Sequence, residues 1–178
     1  VCAAVDAASS DWSDDELAAA GGAPAAGLAA RAYDAASPGA RAARAGPAKR
    51  HPVVLLPGMT STALEVWRGR DCARDLLRKR IWSGPSTLPK FMLRPRCFAE
   101  HLALNASDGG DPDGIKVRAA SGLHAADSFG YVVNVWGAII ENLARVGYDE
   151  SSMALAAYDW RLSALALERR DQYFTRLR

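Results

Sequence analysis

The stretch best placed to bear on chemistry is His51-Pro-Val-Val-Leu-Leu-Pro-Gly-Met-Thr60. Val53 to Leu56 is a short apolar run beginning with two β-branched residues, which suits a strand buried on both faces of a parallel sheet better than one half in water. Pro57-Gly58 ends it abruptly. A strand that closes on Pro-Gly leaves the amides behind it without ladder partners, and in an α/β sheet ligands gather at the carboxyl ends of strands. The backbone N–H of Met59 is therefore a candidate donor to an oxyanion developing on a reacting carbonyl. The same residues also read as an ordinary strand ending, and alone they leave both readings open.

Covalent acyl transfer needs a nucleophile, a base, a group that orients the base, and an oxyanion hole. The nucleophile elbow Gly-x-Ser-x-Gly does not occur in the sequence. Of the three histidines, His51 precedes the first strand, and His101 and His124 lie in loop-rich sequence, so none follows an acid in the order such a triad needs. No Cys-x-x-Cys, His-Glu-x-x-His, Walker or Gly-x-Gly-x-x-Gly pattern appears either, so no metal and no cofactor are expected.

Cys72 and Cys97 bracket a stretch carrying Trp82, Phe91, Met92 and Leu93, with Arg or Lys at 74, 78, 79 and 80. If the two are joined, closing a loop of about 25 residues stabilises by roughly 3 to 4 kcal/mol. A tethered, basic and aromatic loop beside a candidate oxyanion amide has the composition of a lid that meets a lipid surface, with cations toward anionic headgroups and Trp82 at the boundary. The alternative is a pair of reduced, buried cysteines with Trp82 in the core. Cys2 is left over, and Asn105-Ala106-Ser107 is a glycosylation sequon in a polar loop, consistent with an oxidising, secretory compartment.

The elements that must position these groups follow from periodicity. Residues 1–50 are dominated by Ala, Gly, Pro and Ser and read as a disordered linker, with a short helix at 13–20. Leu76, Leu77 and Ile81 fit the buried side of a helix through the basic run, and 114–119 alternates as a strand. Trp136, Ile139, Ile140, Leu143 and Val146 recur every three or four residues as one helix face, stopped by Gly147. Met153 to Tyr158 is a second buried strand, and 165–178 a charged helix. Strand, crossover, helix, strand, helix is the order of a doubly wound α/β sheet. The 178 residues, 49% hydrophobic and 24% charged with a net charge of +2, make one globular domain at most, and so small a charge excludes nucleic acid as a partner. No stretch reaches the roughly 18 apolar residues of a membrane span. The chain runs from Val1 to Arg178 inside a charged run and is expected to belong to a longer protein.

The order His51-Pro-Val-Val-Leu-Leu-Pro-Gly58, Leu64-Glu-Val-Trp67, Cys72, Arg78-Lys-Arg-Ile-Trp82, Cys97, Gly114-Ile-Lys-Val-Arg118, Gly122-Leu123, Ala125-Ala-Asp127, Ile140-Glu-Asn-Leu143, Gly147-Tyr148 and Ala156-Ala-Tyr-Asp-Trp-Arg161 resembles the amino-terminal half of the phospholipid:diacylglycerol acyltransferases, themselves similar to lecithin:cholesterol acyltransferase and lysosomal phospholipase. The resemblance implies a partial α/β-hydrolase fold over residues 51–178, truncated before the nucleophile elbow, with a cysteine-closed lid at 72–97. It implies an acyl chain taken from a phospholipid donor onto a serine and passed to a diacylglycerol acceptor at a membrane or lipid-droplet surface. It also implies a Cys72–Cys97 disulfide, Trp82 as the lipid-facing aromatic and the Met59 amide as oxyanion donor. The Ser, acid and His of the family fall beyond the matched residues. An endoplasmic reticulum membrane with the catalytic domain in the lumen, or a plastid, is the implied location. A phospholipase or sterol acyltransferase of the same fold, and a noncatalytic lipid-surface module, are the other readings. A reading frame continuing past Arg178 into a Gly-x-Ser-x-Gly elbow separates enzyme from module.

Overall fold

The apolar runs near residues 53 and 153 lie side by side as strands in the computed structural model, which describes residues 36–46, 49–84, 87–129, 133–134 and 136–178. In chain order the elements are α1 (Pro38–Arg44), β1 (Val53–Leu55), β2 (Leu64–Arg68), β3 (Arg80–Trp82), α2 (Thr87–Leu93), α3 (Pro95–Leu102), β4 (Lys116–Ala119), β5 (Ser128–Phe129), β6 (Val133–Asn134), α4 (Gly137–Arg145), β7 (Met153–Leu155), α5 (Ala164–Asp171) and α6 (Tyr173–Leu177). Short 3-10 segments span Asp71–Leu76 and Leu123–Ala126.

β1 and β7 pair in parallel, Val53 opposite Met153 and Leu55 opposite Leu155. The ladder continues at both ends, Val53 N–H donating to Ser152 O at 3.0 Å and Ala156 N–H to Leu55 O at 2.8 Å. Among the described residues this pair is all there is of the expected doubly wound sheet. The expectation of a first strand buried on both faces is corrected: Leu55 is buried, but Val54 and Leu56 are each more than half exposed. Side chains alternate across a strand, and the described residues cover one face of β1 only.

A second sheet takes most of the core. β2 lies antiparallel between β3 and β4, with Leu64 opposite both Trp82 and Ala119, and Val66 opposite Val117. Leu64, Val66, Ile81 and Val117 are fully buried and pack with Leu76, Phe98 and Ile115. The helix expected through residues 74–81 is replaced by the 3-10 segment followed by β3, because Arg78 adopts a left-handed backbone (φ 57°) and Ile81 gains more by pairing beside β2 than by lining a helix. Leu77, expected inside, is exposed.

α4 forms where its spacing places it, ended by Gly147 at φ 100°, where a side chain would be strained. The single helix expected over 165–178 breaks at Gln172 (φ 50°), which turns α6 so that Tyr173 Oη donates to Ala156 O at 2.9 Å. Residues 36–46, assigned to a disordered linker from composition, hold α1 instead. Ser37 caps it, accepting from Ala40 N–H, and Pro38 opens it. α1 rests on α4: Gly39 N–H donates to Asn142 Oδ1 at 2.6 Å. Residues 1–35, with the expected helix at 13–20 and Cys2, lie outside the described residues.

A Cβ on Gly39 would stand 2.4 Å from Asn142 O and 2.7 Å from its Cα, both backbone atoms. Gly39→Ala is therefore expected to push α1 off α4 at a cost of about 1 to 3 kcal/mol. A lower thermal midpoint together with protease cleavage within 36–46 checks this, and an unchanged midpoint contradicts it.

Candidate functional site

The turn behind β1 is held at few points. Pro57 is buried, Ser61 N–H donates to Gly58 O at 3.1 Å, and Thr60 sits at φ 67°. A β-branched residue in that region costs roughly 1 to 2 kcal/mol, so other contacts must impose it. Met59 is 74% exposed, and no intramolecular acceptor for its amide is found among the described residues. The amide thus stands at the carboxyl end of a parallel strand, outside the core.

Two indoles close on this turn. Trp82 Nε1–H, from β3, donates to Thr60 O at 2.8 Å, and Trp160 Nε1–H, just behind β7, donates to Thr62 O at 3.2 Å. The two rings pack with centroids 5.0 Å apart. Trp82 is half-buried. On the same strand Arg80 reaches His124 O at 3.0 Å, joining β3 to the segment at 123–126. Thr62 is fully buried, and its hydroxyl has no hydrogen-bond partner among the described residues.

Cys72 and Cys97 are joined, with Cα atoms 6.2 Å apart. The bond ties the 3-10 segment to α3, and Arg94 reinforces it by donating to Cys72 O and Asp75, both at 3.0 Å. Beneath it His101 is fully buried. Its Nδ1 lies 2.7 Å from Cys97 O, and its Nε2 accepts from Arg70 N–H at 3.2 Å. Cys72, Cys97 and His101 are grouped closely enough to suggest metal ligands, but both sulfurs are bonded to each other and both ring nitrogens are engaged. What the loop does put outside is α2, where Leu88, Met92 and Leu93 are 69%, 70% and 80% exposed and Phe91 is half-exposed against Phe98. Phe91, Met92 and Leu93 are the apolar residues that the sequence places in this loop beside Trp82, and Leu88 joins them on α2.

The remaining sequence candidates are dispersed. Asn105 is exposed, with Oδ1 accepting from Ser107 N–H and Oγ at 3.1 and 3.0 Å. His124 is paired with Asp127 at 2.6 Å on the surface, and His51 is exposed. A cleft of about 540 Å³ opens between Ala120, Ala157, Tyr158, Arg170 and Arg176. Met59 does not contribute to its wall.

Under the site lies a buried ion cluster. Asp159 is fully buried and accepts from Arg161 N, Nε and Nη2 at 3.2, 2.9 and 2.7 Å and from Arg170 Nη2 at 2.9 Å. Arg161 also reaches His101 O, Val117 O and Asp111, all at 3.3 Å, and Arg118 pairs with Asp111. Burial pushes the Asp159 carboxyl up, but the hydrogen bonds and charge of Arg161 and Arg170 outweigh it and hold the carboxyl below its ordinary value.

A family model for lecithin:cholesterol acyltransferase matches residues 76–178. The chain is 46% identical over 142 residues to putative phospholipid:diacylglycerol acyltransferase 2 of Arabidopsis thaliana, covering 80% of this chain and 21% of that protein. It is 47% identical over 141 residues to phospholipid:diacylglycerol acyltransferase 1 of the same plant, covering 79% and 21%. Against the phospholipid:diacylglycerol acyltransferase of Schizosaccharomyces pombe it is 46% identical over 128 residues, covering 72% and 20%. The chain spans about a fifth of the length of the curated relatives it matches.

Asp159→Asn leaves Arg161 and Arg170 without their shared carboxylate and is expected to cost about 3 to 5 kcal/mol. The Asp159 carboxyl is depressed below its unfolded value of about 3.9. Its stabilisation is therefore complete above that value and is lost as pH falls through the folded value. Urea unfolding across that range should show the unsubstituted protein losing more stability on acidification than the variant does; parallel losses contradict the assignment.

Proposed function

The chain belongs to the lecithin:cholesterol acyltransferase family, and from this we propose that the full-length protein carrying it is an O-acyltransferase that moves a fatty acyl chain from a phospholipid to diacylglycerol, forming triacylglycerol. The observation that carries the reading is the similarity to phospholipid:diacylglycerol acyltransferases across most of this chain, which takes in the strand, its turn and the disulfide loop. A serine from sequence outside these residues attacks the ester carbonyl of the phospholipid, and the lysophospholipid leaves as its oxygen takes a proton. The acyl-serine then passes its acyl group to the diacylglycerol hydroxyl. Within this chain, the Met59 amide donates to the oxyanion formed at each step, and residues 1–178 alone supply only that portion of the site.

The loop between Cys72 and Cys97 serves as the lid that meets the membrane or lipid-droplet surface. Its support is the row of exposed apolar side chains on α2, with Arg and Lys nearby. The exposed sequon at Asn105 and the disulfide favour an oxidising compartment such as the lumen of the endoplasmic reticulum, with Asn105 as a glycan acceptor.

Two measurements on the full-length protein follow. Met59→Pro deletes one backbone donor and is expected to lower kcat about 10² to 10³-fold, as losing an oxyanion donor does elsewhere, with the thermal midpoint and the disulfide retained. Unchanged turnover removes Met59 from the site. Met92→Glu combined with Leu93→Glu is expected to reduce turnover on phosphatidylcholine vesicles containing diacylglycerol by about 100-fold or more relative to a short soluble ester, since each exposed apolar side chain contributes about 1.5 to 3 kcal/mol when buried. Equal losses on the two substrates point to folding and count against the lid.

A further inference from the structure

The turn that presents the Met59 amide is held by little of its own. Met59 and Thr60 are exposed, one backbone hydrogen bond closes Gly58 to Ser61, and Thr60 keeps a left-handed backbone that a β-branched residue does not choose. Among the described residues, the exposed side chains of Met59 and Thr60 add little packing to impose that geometry. The Thr60 carbonyl, however, is the acceptor of the Trp82 indole N–H at 2.8 Å, and Trp82 is fixed in turn by the Trp160 ring and by its place in β3 opposite Leu64. Trp160 holds the carbonyl two residues on, at Thr62.

We propose that Trp82 is a positioning residue: its indole N–H fixes the Thr60 carbonyl, keeps the turn in its left-handed form, and so aims the Met59 amide at the reacting oxygen. The inference rests on the reading of that amide as the oxyanion donor. It gives Trp82 a different task from touching lipid. It also joins the loop to the reaction, because the chain that leaves β3 at Trp82 leads into α2 with its exposed apolar side chains. A lid seated at a surface and a lid displaced from it then differ in how firmly the Thr60 carbonyl is held.

The test uses the full-length protein with Trp82→Phe and, as a second variant that keeps the bicyclic ring and removes only the N–H, 3-benzothienylalanine at position 82. Substrates are a short soluble ester and phosphatidylcholine vesicles containing diacylglycerol, and amide hydrogen exchange is followed at Ser61. Both variants are expected to lower kcat about tenfold on both substrates with KM within about threefold, and to speed exchange at Ser61 at least fivefold while β2 and β4 stay protected. Thr60→Asn, which tolerates the left-handed backbone, should recover at least threefold of the lost kcat when added to either variant. A raised vesicle KM with unchanged kcat overturns the proposal and makes Trp82 a lipid contact. Uniformly faster exchange through β2, β3 and β4 also overturns it, as a loss of folding. Unchanged exchange at Ser61 rules out the clamp outright. If Met59→Pro is silent while the Trp82 variants still speed Ser61 exchange, the oxyanion reading fails and the clamp alone stands.

Discussion

The arrangement depends first on a buried carboxylate, that of Asp159. A charge taken out of water is unfavourable, and a buried ion pair offsets that penalty only where geometry is good and the remaining lone pairs are filled. Here four hydrogen bonds fill them, three from Arg161 and one from Arg170. Arg161 in turn directs its other donors to carbonyls at the end of α3 and within β4 and to Asp111. One residue pair just behind β7 thus fastens the parallel strands to the antiparallel sheet and to the helix that carries Cys97. The attraction is not directional by itself, but the planar guanidinium is, and the planar fork sets the register between elements that share few apolar contacts.

On that frame the two indoles do related work at different places. Trp160 belongs to the same short stretch as Asp159 and Arg161, so its ring is placed by the ion cluster; Trp82 comes from the loop and meets it with the ring planes tilted by 55°. Each sends its single N–H into a carbonyl of the segment behind β1. The apolar bodies of the rings bury area while the polar edges satisfy backbone that a surface turn would leave to water. His101 acts in a comparable way deeper in the fold, where it bridges the backbone of Arg70 and Cys97 beneath the disulfide.

Much of this was legible in the sequence, and the misses have physical causes. The apolar runs at 53 and 153, the alternation at 115–119 and the three-four spacing from Trp136 to Val146 are local signals, and they found β1, β7, β4 and α4. The disulfide came from resemblance, since two cysteines alone leave reduction open. Residues 76–81 misled because a basic run with Leu and Ile at helical spacing carries a helical propensity that pairing with β2 overrides, a contact no local window contains. α1 carries a helix-start signature in Ser37-Pro38, but it sits in Ala-, Gly- and Pro-rich sequence whose composition reads as linker. The resemblance implies a lipid-facing Trp82, while its residue type alone leaves a core position equally open. Its partner, the Thr60 carbonyl, is a backbone group that no side-chain pattern announces.

The half-covered face of β1 has a consequence for the molecule in solution. Among the described residues the strand is paired along one side only, and Val54 and Leu56 stand uncovered beside backbone groups of the kind that template another strand. Among the described residues this makes β1 an open edge of the kind that accepts a further strand. A segment laid along that edge would satisfy the free backbone groups and cover Val54 and Leu56 in one step.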